Sequence, residues 1–375
     1  MKKLAYVVTQ SEMGGAQKNI LLLSKGLSDK FEITVYCGPG GLLVEELRKS
    51  KIRVIEVPSL KREIALKDDL KTYRYLAKEF KEKGYSIVHS HSSKAGILAR
   101  FAAKSSKVPK NIYTAHGFVF NEPMAGTAKE FYRIAERCAA GIATDLVVVS
   151  NRDLETAESL GIKSRNQTVC IPNGIDFGLS VEIEGKDASA DLREKLGIKD
   201  GEFAFGAIAN FYETKGHRYL VHAFEMLRNS SRAENLKLVL VGQGLLLDEI
   251  RSLSGEGVIF TGYVENAEKL MDAFDCLVLS SVKEGFPFVI LEAVKHRLPI
   301  VATDVGDVKR MLDEGELKSC RIVEPGSSEA LSEAMEWMIK NAEQARIAAD
   351  RTYEAISERY SLKRMIDETL KVYDR

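Results

Sequence analysis

The chain has no run of about 18 or more uncharged apolar residues, so no segment has the length of a membrane-spanning helix. Its five cysteines, Cys37, Cys138, Cys170, Cys276 and Cys320, are odd in number and far apart. No pair has zinc-finger or redox spacing, so each reads as a small buried residue or a free thiol. Histidines are scarce, at six. His89 and His91 lie close together on one face of an expected strand, but a third ligand at a spacing that suits a metal is missing. The full dinucleotide fingerprint G-x-G-x-x-G is also absent, because Gly242-Gln243-Gly244 supplies only its first two glycines. After Met1-Lys2-Lys3 the apolar stretch lasts about six residues before Gln10, Ser11 and Glu12, too short for a signal peptide. It reads as a first strand and predicts a cytosolic protein.

What is present is a balanced globular composition, 45% hydrophobic and 29% charged over 375 residues, a length that suits two domains. The net charge of zero hides a division. Residues 1–180 carry 28 Lys+Arg against 19 Asp+Glu, and the remainder carries 26 against 35. Such asymmetry suggests that only the first half meets an anionic surface. No acidic residue occurs from Lys83 to Asn121, while Lys94, Arg100, Lys104, Lys107 and Lys110 fall in that stretch. Phe101 is the one aromatic residue interleaved among these cations, too few for a row of stacked bases, which argues against nucleic acid.

Short β-branched runs alternate with helical segments. Strands are expected at Leu4–Thr9, Ile33–Cys37, Arg53–Val57, Ile87–His91, Asn111–Ala115, Asp145–Ser150 and Thr168–Ile171, with helices at Ala16–Leu27, Lys67–Lys83, Ser93–Lys104 and Ala128–Ala140. After a pause from Ile171 to about Ala190, strands are expected at Phe203–Ala209, Leu236–Val241, Val258–Thr261, Cys276–Leu279, Pro299–Thr303 and Arg321–Val323. The pattern predicts an α/β protein of two tandem doubly wound, Rossmann-like domains facing across a cleft, 1–178 and 190–359, with a helix at 360–375 packing back on the first. In such sheets ligands bind beyond the C-terminal strand ends.

Four constellations sit at such strand ends. Glu284-Gly285-Phe286-Pro287-Phe288 runs into a helix bearing Glu292. Pro287 suits a first helical turn, and the free amides there favour a phosphate. Glu292 lies roughly 7–8 Å further along the helix, so the two carboxylates could serve sugar and ribose hydroxyls on either side of a diphosphate. The plainer alternative is an acidic loop followed by an exposed helical glutamate. Asn210-Phe211-Tyr212-Glu213-Thr214-Lys215-Gly216 follows a strand. There a lysine beside glycine can hold a diphosphate, or can simply be solvated. Gly14-Gly15 offers amides to a phosphate, although any strand-to-helix turn can carry glycine. Thr114-Ala115-His116-Gly117 places a histidine at a strand end, as a site residue or a hydrogen-bonded structural one.

Together these pieces resemble the retaining glycosyltransferases of family 4, which have the two-domain GT-B fold. The resemblance spans essentially the whole chain and rests most on Glu284…Glu292 and Lys215-Gly216. Pro172-Asn173-Gly174-Ile175-Asp176 and Gly262-Tyr263-Val264 fall in the family's order. It implies that Lys215 binds the diphosphate, that Glu284 with the amides of Gly285, Phe286 and Phe288 holds sugar and phosphate, and that Glu292 takes the ribose. It also implies Tyr263 and Val264 near the base, Gly242 and Gln243 in the donor site, Gly15 near the phosphate, and His116 at the reacting sugar. Where the family usually carries a second diphosphate cation, an arginine, this chain has Asn210.

The expected partners are a nucleotide-sugar donor, UDP-linked, and a glycan or polyprenyl-diphosphate-linked acceptor, since family members with a His-Gly-Phe loop like His116-Gly117-Phe118 often build surface polysaccharide on a lipid carrier. No cofactor or metal is expected, because Lys215 and the helix amides supply the positive charge. Residues 93–110 are expected to touch an anionic membrane from its inner face, or else to be an ordinary sheet-covering helix. There are two rivals: a nucleotide-sugar 2-epimerase of the same architecture, which would need an acid/base set, and, from another class, a non-catalytic nucleotide-sugar binding module.

Overall fold

The computed structural model describes residues 1–122, 124–178, 185–231, 235–312 and 319–375. The chain divides into two units: unit 1 is Met1–Asn173 with Leu362–Arg375, and unit 2 is Gly174–Ser361.

In unit 1 the apolar runs become seven parallel strands: β1 (Lys2–Val7), β2 (Phe31–Cys37), β3 (Arg53–Glu56), β4 (Ile87–His91), β5 (Lys110–Ala115), β6 (Asp145–Val148) and β7 (Gln167–Cys170). They pair in the order β3-β2-β1-β4-β5-β6-β7. Central strands such as Ile87-Val88-His89-Ser90-His91 are buried along their whole length, as parallel strands covered on both faces must be. One face is filled by Ile20, Leu23, Leu43, Met365 and Val372, from the helices Gly15–Leu27, Leu42–Lys49 and Leu362–Asp374. The other carries Leu76, Phe80, Ala95, Ala99 and Ala102 from the helices Leu66–Lys83 and Ser93–Ser105.

Unit 2 repeats the plan with β8 (Phe203–Ile208), β9 (Leu236–Val241), β10 (Val258–Gly262), β11 (Cys276–Leu279), β12 (Ile300–Thr303) and β13 (Cys320–Val323). Their order is β10-β9-β8-β11-β12-β13, again all parallel. Both sheets therefore reverse direction once, at β1/β4 and at β8/β11. The crossover helices leave on opposite faces at that place and open a crevice beyond the strand ends.

The helix Ser93–Ser105 differs from its amphipathic reading. Arg100 is wholly buried, pairs with buried Glu136 at 2.8 Å and lies 4.0 Å from the centre of the Tyr113 ring. Lys94 pairs with Asp69, and Lys110 reaches Asp145 and the Val372 carbonyl. Three of the five cations in the basic stretch are thus engaged within the fold, and Lys104 and Lys107 remain exposed. A buried guanidinium is tolerable only with a partner, and Glu136 supplies one. No described helix is long and apolar enough to cross a membrane.

Candidate active site

Unit 2 gathers its chemistry where β8 and β11 end. After β8 the chain turns through Asn210 and Phe211 into a short 3₁₀ turn, Glu213–Lys215. Gly216 follows in the left-handed region at φ 65°, and a Cβ there would lie 2.1 Å from the Ser280 carbonyl oxygen. Only glycine fits. That close approach draws the β8 loop onto the β11 loop, and three hydrogen bonds lace them together. Val282 N–H donates to the Thr214 carbonyl at 2.9 Å, Ser280 Oγ to the Lys215 carbonyl at 3.0 Å, and Lys215 Nζ to Glu284 Oε1 at 2.6 Å. Ser281 Oγ donates to the same carboxylate oxygen at 2.8 Å, and the Ser281 carbonyl accepts from buried Thr303 at 2.6 Å. Lys215 and Glu284, 69 residues apart in sequence, therefore form a half-buried ion pair with a built orientation.

The neighbouring loops complete this edge. Gly242, after β9, has φ 145° and packs so tightly that a Cβ would lie 2.1 Å from the Ala209 carbonyl oxygen. The Gln243 carbonyl accepts from Phe211 N–H at 2.9 Å. These residues brace the Asn210 turn by packing and backbone bonding. Tyr263 after β10 is exposed, and Val264 is half-buried. Phe286, Pro287 and Phe288 are buried, with the Phe286 ring on Tyr360 at 5.1 Å. Pro287 caps the helix Phe288–Lys295 in an extended conformation rather than occupying its first turn. Glu292 lies half-buried in that helix.

In unit 1, Gly14 caps the helix Gly15–Leu27 in an extended conformation, and both glycines are exposed. Gln17 closes the turn by donating from Nε2 to the Gln10 carbonyl at 2.9 Å. His116, at the end of β5, is half-buried. Its Nε2 lies 2.9 Å from Nδ1 of buried His91, with the rings stacked at 5.2 Å. Next to it, His89 is held by the Tyr373 hydroxyl at 2.6 Å and by Thr114 Oγ1 at 2.7 Å, and Tyr373 also meets the Tyr6 hydroxyl at 3.0 Å.

Comparison with known proteins fits these two edges. Residues 13–178 match the description Glycosyltransferase Family 4, and residues 202–341 match Glycosyl transferases group 1. A relative from Escherichia coli, UDP-Gal:alpha-D-GlcNAc-diphosphoundecaprenol alpha-1,3-galactosyltransferase, is 31% identical over 313 residues, covering 81% of this chain and 79% of that protein. The chain belongs to the family-4 glycosyltransferases. The Staphylococcus aureus capsular polysaccharide biosynthesis glycosyltransferase CapM is 25% identical over 304 residues, covering 79% of this chain and 78% of that one. In fold, the crystal structure of Anabaena Alr3699/HepE with UDP-glucose superposes with a TM-score of 0.83 at 18% identity, covering both chains entirely.

Within this glycosyltransferase, Lys215, Gly216, Glu284 and Gly285 lie on one laced pair of loops. His116 and the Gly14-Gly15 turn lie at strand ends of the other unit. The sequence reading missed Ser281, which bonds Glu284, and Thr303, which holds the Ser281 carbonyl, and it missed that His91 is hydrogen-bonded to His116. The paired His89 and His91 were visible, but their rings pack tilted, 4.4 Å between centres, with separate hydrogen-bond partners.

Burial pushes His89 down to about 3, with His116 adding to the effect, and pushes His116 to about 4. His91 is lowered well below the ordinary range by burial and then by both neighbouring imidazoles. In the unfolded chain these rings take protons near pH 6.5. Between that value and about pH 4 the unfolded chain binds more protons than the folded one, so stability falls as the pH drops. The melting temperature is expected to decrease from about pH 7 to about pH 5. An unchanged or higher value would show that these imidazoles do not stay neutral in the fold.

Proposed function

We propose that the enzyme transfers a sugar, with retention at the anomeric carbon, from a UDP-linked donor to a lipid-linked glycan acceptor. The observation that carries this reading is the Lys215–Glu284 pair fixed at the β8/β11 strand ends. An ammonium held there beside the helix amides suits the charge that develops on a departing diphosphate.

In this reading Lys215 binds the diphosphate, assisted by the amides of Gly285, Phe286 and Phe288 and by those near Gly14 and Gly15. Glu284 takes hydroxyls of the donor sugar and Glu292 those of the ribose. Exposed Tyr263, with Val264, takes the base, while Gly216, Gly242 and Gln243 shape the loops. His116 meets the reacting sugar. Asn210 gives a neutral contact where a second cation is usual, which leaves Lys215 the larger share of the charge. The bond from the sugar's C1 to the diphosphate oxygen breaks, the acceptor oxygen bonds to C1 from the same face, and its proton passes to the leaving phosphate. No divalent cation is assigned a role. The activity named for the Escherichia coli relative supports both the UDP donor and the diphosphate-linked acceptor.

An acceptor on a lipid carrier calls for contact with a membrane surface, and we assign that contact to unit 1. Of residues 93–110, Lys104, Lys107 and the exposed Phe101 remain available. The helix Leu66–Lys83, which packs beside Ser93–Ser105, adds exposed Lys67, Lys71 and Arg74 at the i, i+4, i+7 spacing of one helical face. Leu66 and Leu70, 84% and 47% exposed, accompany them. Cations beside bare apolar side chains suit an anionic lipid surface.

With wild-type protein, sugar transfer is expected to persist in EDTA, and Lys215→Ala is expected to lower kcat/KM by about 10²–10³-fold while the circular dichroism spectrum is kept. Loss of activity on chelation, or near-normal turnover by the variant, contradicts the assignment. Sedimentation with phosphatidylglycerol vesicles tests the membrane contact. Wild-type protein should pellet at low salt, and the combined Lys67→Ala, Lys71→Ala, Arg74→Ala variant should pellet several-fold less while still turning over a short soluble acceptor. A wild-type protein that stays in the supernatant sinks the membrane assignment.

A further inference from the structure

His116 and His91 stand on neighbouring strands. In the β4–β5 register His91 lies opposite Thr114, so His116, two residues further along, emerges on the same face. Nδ1 of His91 and Nε2 of His116 are 2.9 Å apart. Their other ring nitrogens, Nε2 of His91 and Nδ1 of His116, are out of water and have no hydrogen-bond partner among the described residues.

Two neutral imidazoles sharing one hydrogen bond have two arrangements, and the arrangements are locked together. If His91 donates from Nδ1–H, then His116 carries its proton on Nδ1, and His91 keeps a bare Nε2. If His116 donates from Nε2–H, then His116 Nδ1 is a bare acceptor, and His91 carries an unpaired Nε2–H. The two rings differ in their surroundings. His91 is completely buried, wedged against the Tyr6 ring at 5.7 Å, whereas His116 is half-buried at its strand end. An orphaned N–H sealed inside the fold is costly and rare. His116 Nδ1 is itself out of water, but its residue is partly exposed at the strand end whereas His91 is wholly buried, so a bound oxygen that pairs with this N–H is accommodated at His116 and not at His91.

We infer that His91 is a positioning residue, donating its Nδ1–H to His116 Nε2 and thereby fixing His116 as a hydrogen-bond donor through Nδ1–H. Its ligand is a hydroxyl oxygen of the donor sugar, a step that rests on the reading that His116 meets that sugar. The surroundings hold His91 to this task. Thr9 N–H donates to Ser92 Oγ at 3.2 Å, and Thr9 Oγ1 lies 2.7 Å from Ser92 Oγ and accepts from Ala95 N–H at 3.1 Å. These contacts pin the β4 end immediately after His91. On the other side, the His89 ring packs tilted against the His91 ring, 4.4 Å between centres, and is itself tied to Tyr373 and Thr114. Burial keeps all three imidazoles neutral at neutral pH, so the tautomer and not the charge is what the pair controls.

The direct test is a long-range ¹⁵N–¹H spectrum of histidine-labelled wild-type protein. His116 should show a pyrrole-type, proton-bearing Nδ1 and a pyridine-type Nε2, and the reverse pattern overturns the inference. This readout does not depend on turnover, so it separates the inference from a failure of the Lys215 assignment. Kinetics give the second arm. His91→Phe keeps a ring but cannot donate, and it should lower kcat/KM for the sugar donor by up to about tenfold, the scale of one lost hydrogen bond, with UDP affinity unchanged. His91→Asn places an amide N–H at the Nδ1 position and should restore most of the loss. A His91→Phe enzyme with wild-type kcat/KM, or an equal loss in His91→Phe and His91→Asn, overturns the positioning role. Should His91→Phe fail to fold, the wild-type spectrum and His91→Asn decide the matter.

Discussion

Parallel strands can be joined only by crossovers, and where the strand order reverses the outgoing helices must leave on opposite faces of the sheet. That constraint fixes where this chain can do chemistry. In unit 2 the reversal lies between β8 and β11, and the residues that follow those two strands form the Lys215–Glu284 pair. In unit 1 it lies between β1 and β4, and there the Gly14-Gly15 turn follows β1 and His91 ends β4. The same geometry appears twice, with different side chains attached to it.

The ion pair has a consequence for the chemistry. With Glu284 Oε1 accepting from both Lys215 and Ser281, the ammonium is already oriented before any ligand arrives. A group held in place at the start needs little reorganisation when charge develops on the leaving group. The half-buried setting strengthens the interaction relative to bulk water, and under the proposed reading a diphosphate would offer Lys215 more negative charge than one carboxylate does. The Gly216 approach to Ser280 and the Thr303 bond to the Ser281 carbonyl are what keep both loops in that arrangement.

The strands and their order of appearance were legible because short apolar runs such as Val54-Ile55 and Leu238-Val239-Leu240-Val241, rich in β-branched residues, alternate with helical periods. The ends differ by one or two residues, as at β1, which starts at Lys2 rather than Leu4 because it pairs with Phe31 at that position. The glutamates, the lysine and the glycines were legible as motifs, each attached to a strand end. Their pairings were not. Lys215 meets Glu284 because β8 neighbours β11 across two intervening strands in sequence, and His91 meets His116 through the β4–β5 register. Both are facts of topology, which local pattern does not carry. The helix Ser93–Ser105 was open to two readings, a membrane-facing amphipathic helix or an ordinary sheet-covering one. It covers the sheet with Ala95, Ala99 and Ala102, and Glu136, 36 residues from Arg100, draws that guanidinium inward. A partner that distant leaves no trace in helical spacing. A further exposed stripe of Lys67, Lys71 and Arg74 lies on Leu66–Lys83, where in sequence it looks like an ordinary solvated face.

Calorimetric affinities of UDP and UMP for the wild-type protein and for Lys215→Ala probe the central claim without any acceptor or turnover. If the ammonium beside Glu284 is the seat of the diphosphate, the wild-type protein prefers UDP, and that preference collapses in the variant while UMP affinity stays nearly constant. A variant that kept the full preference for UDP would contradict the account.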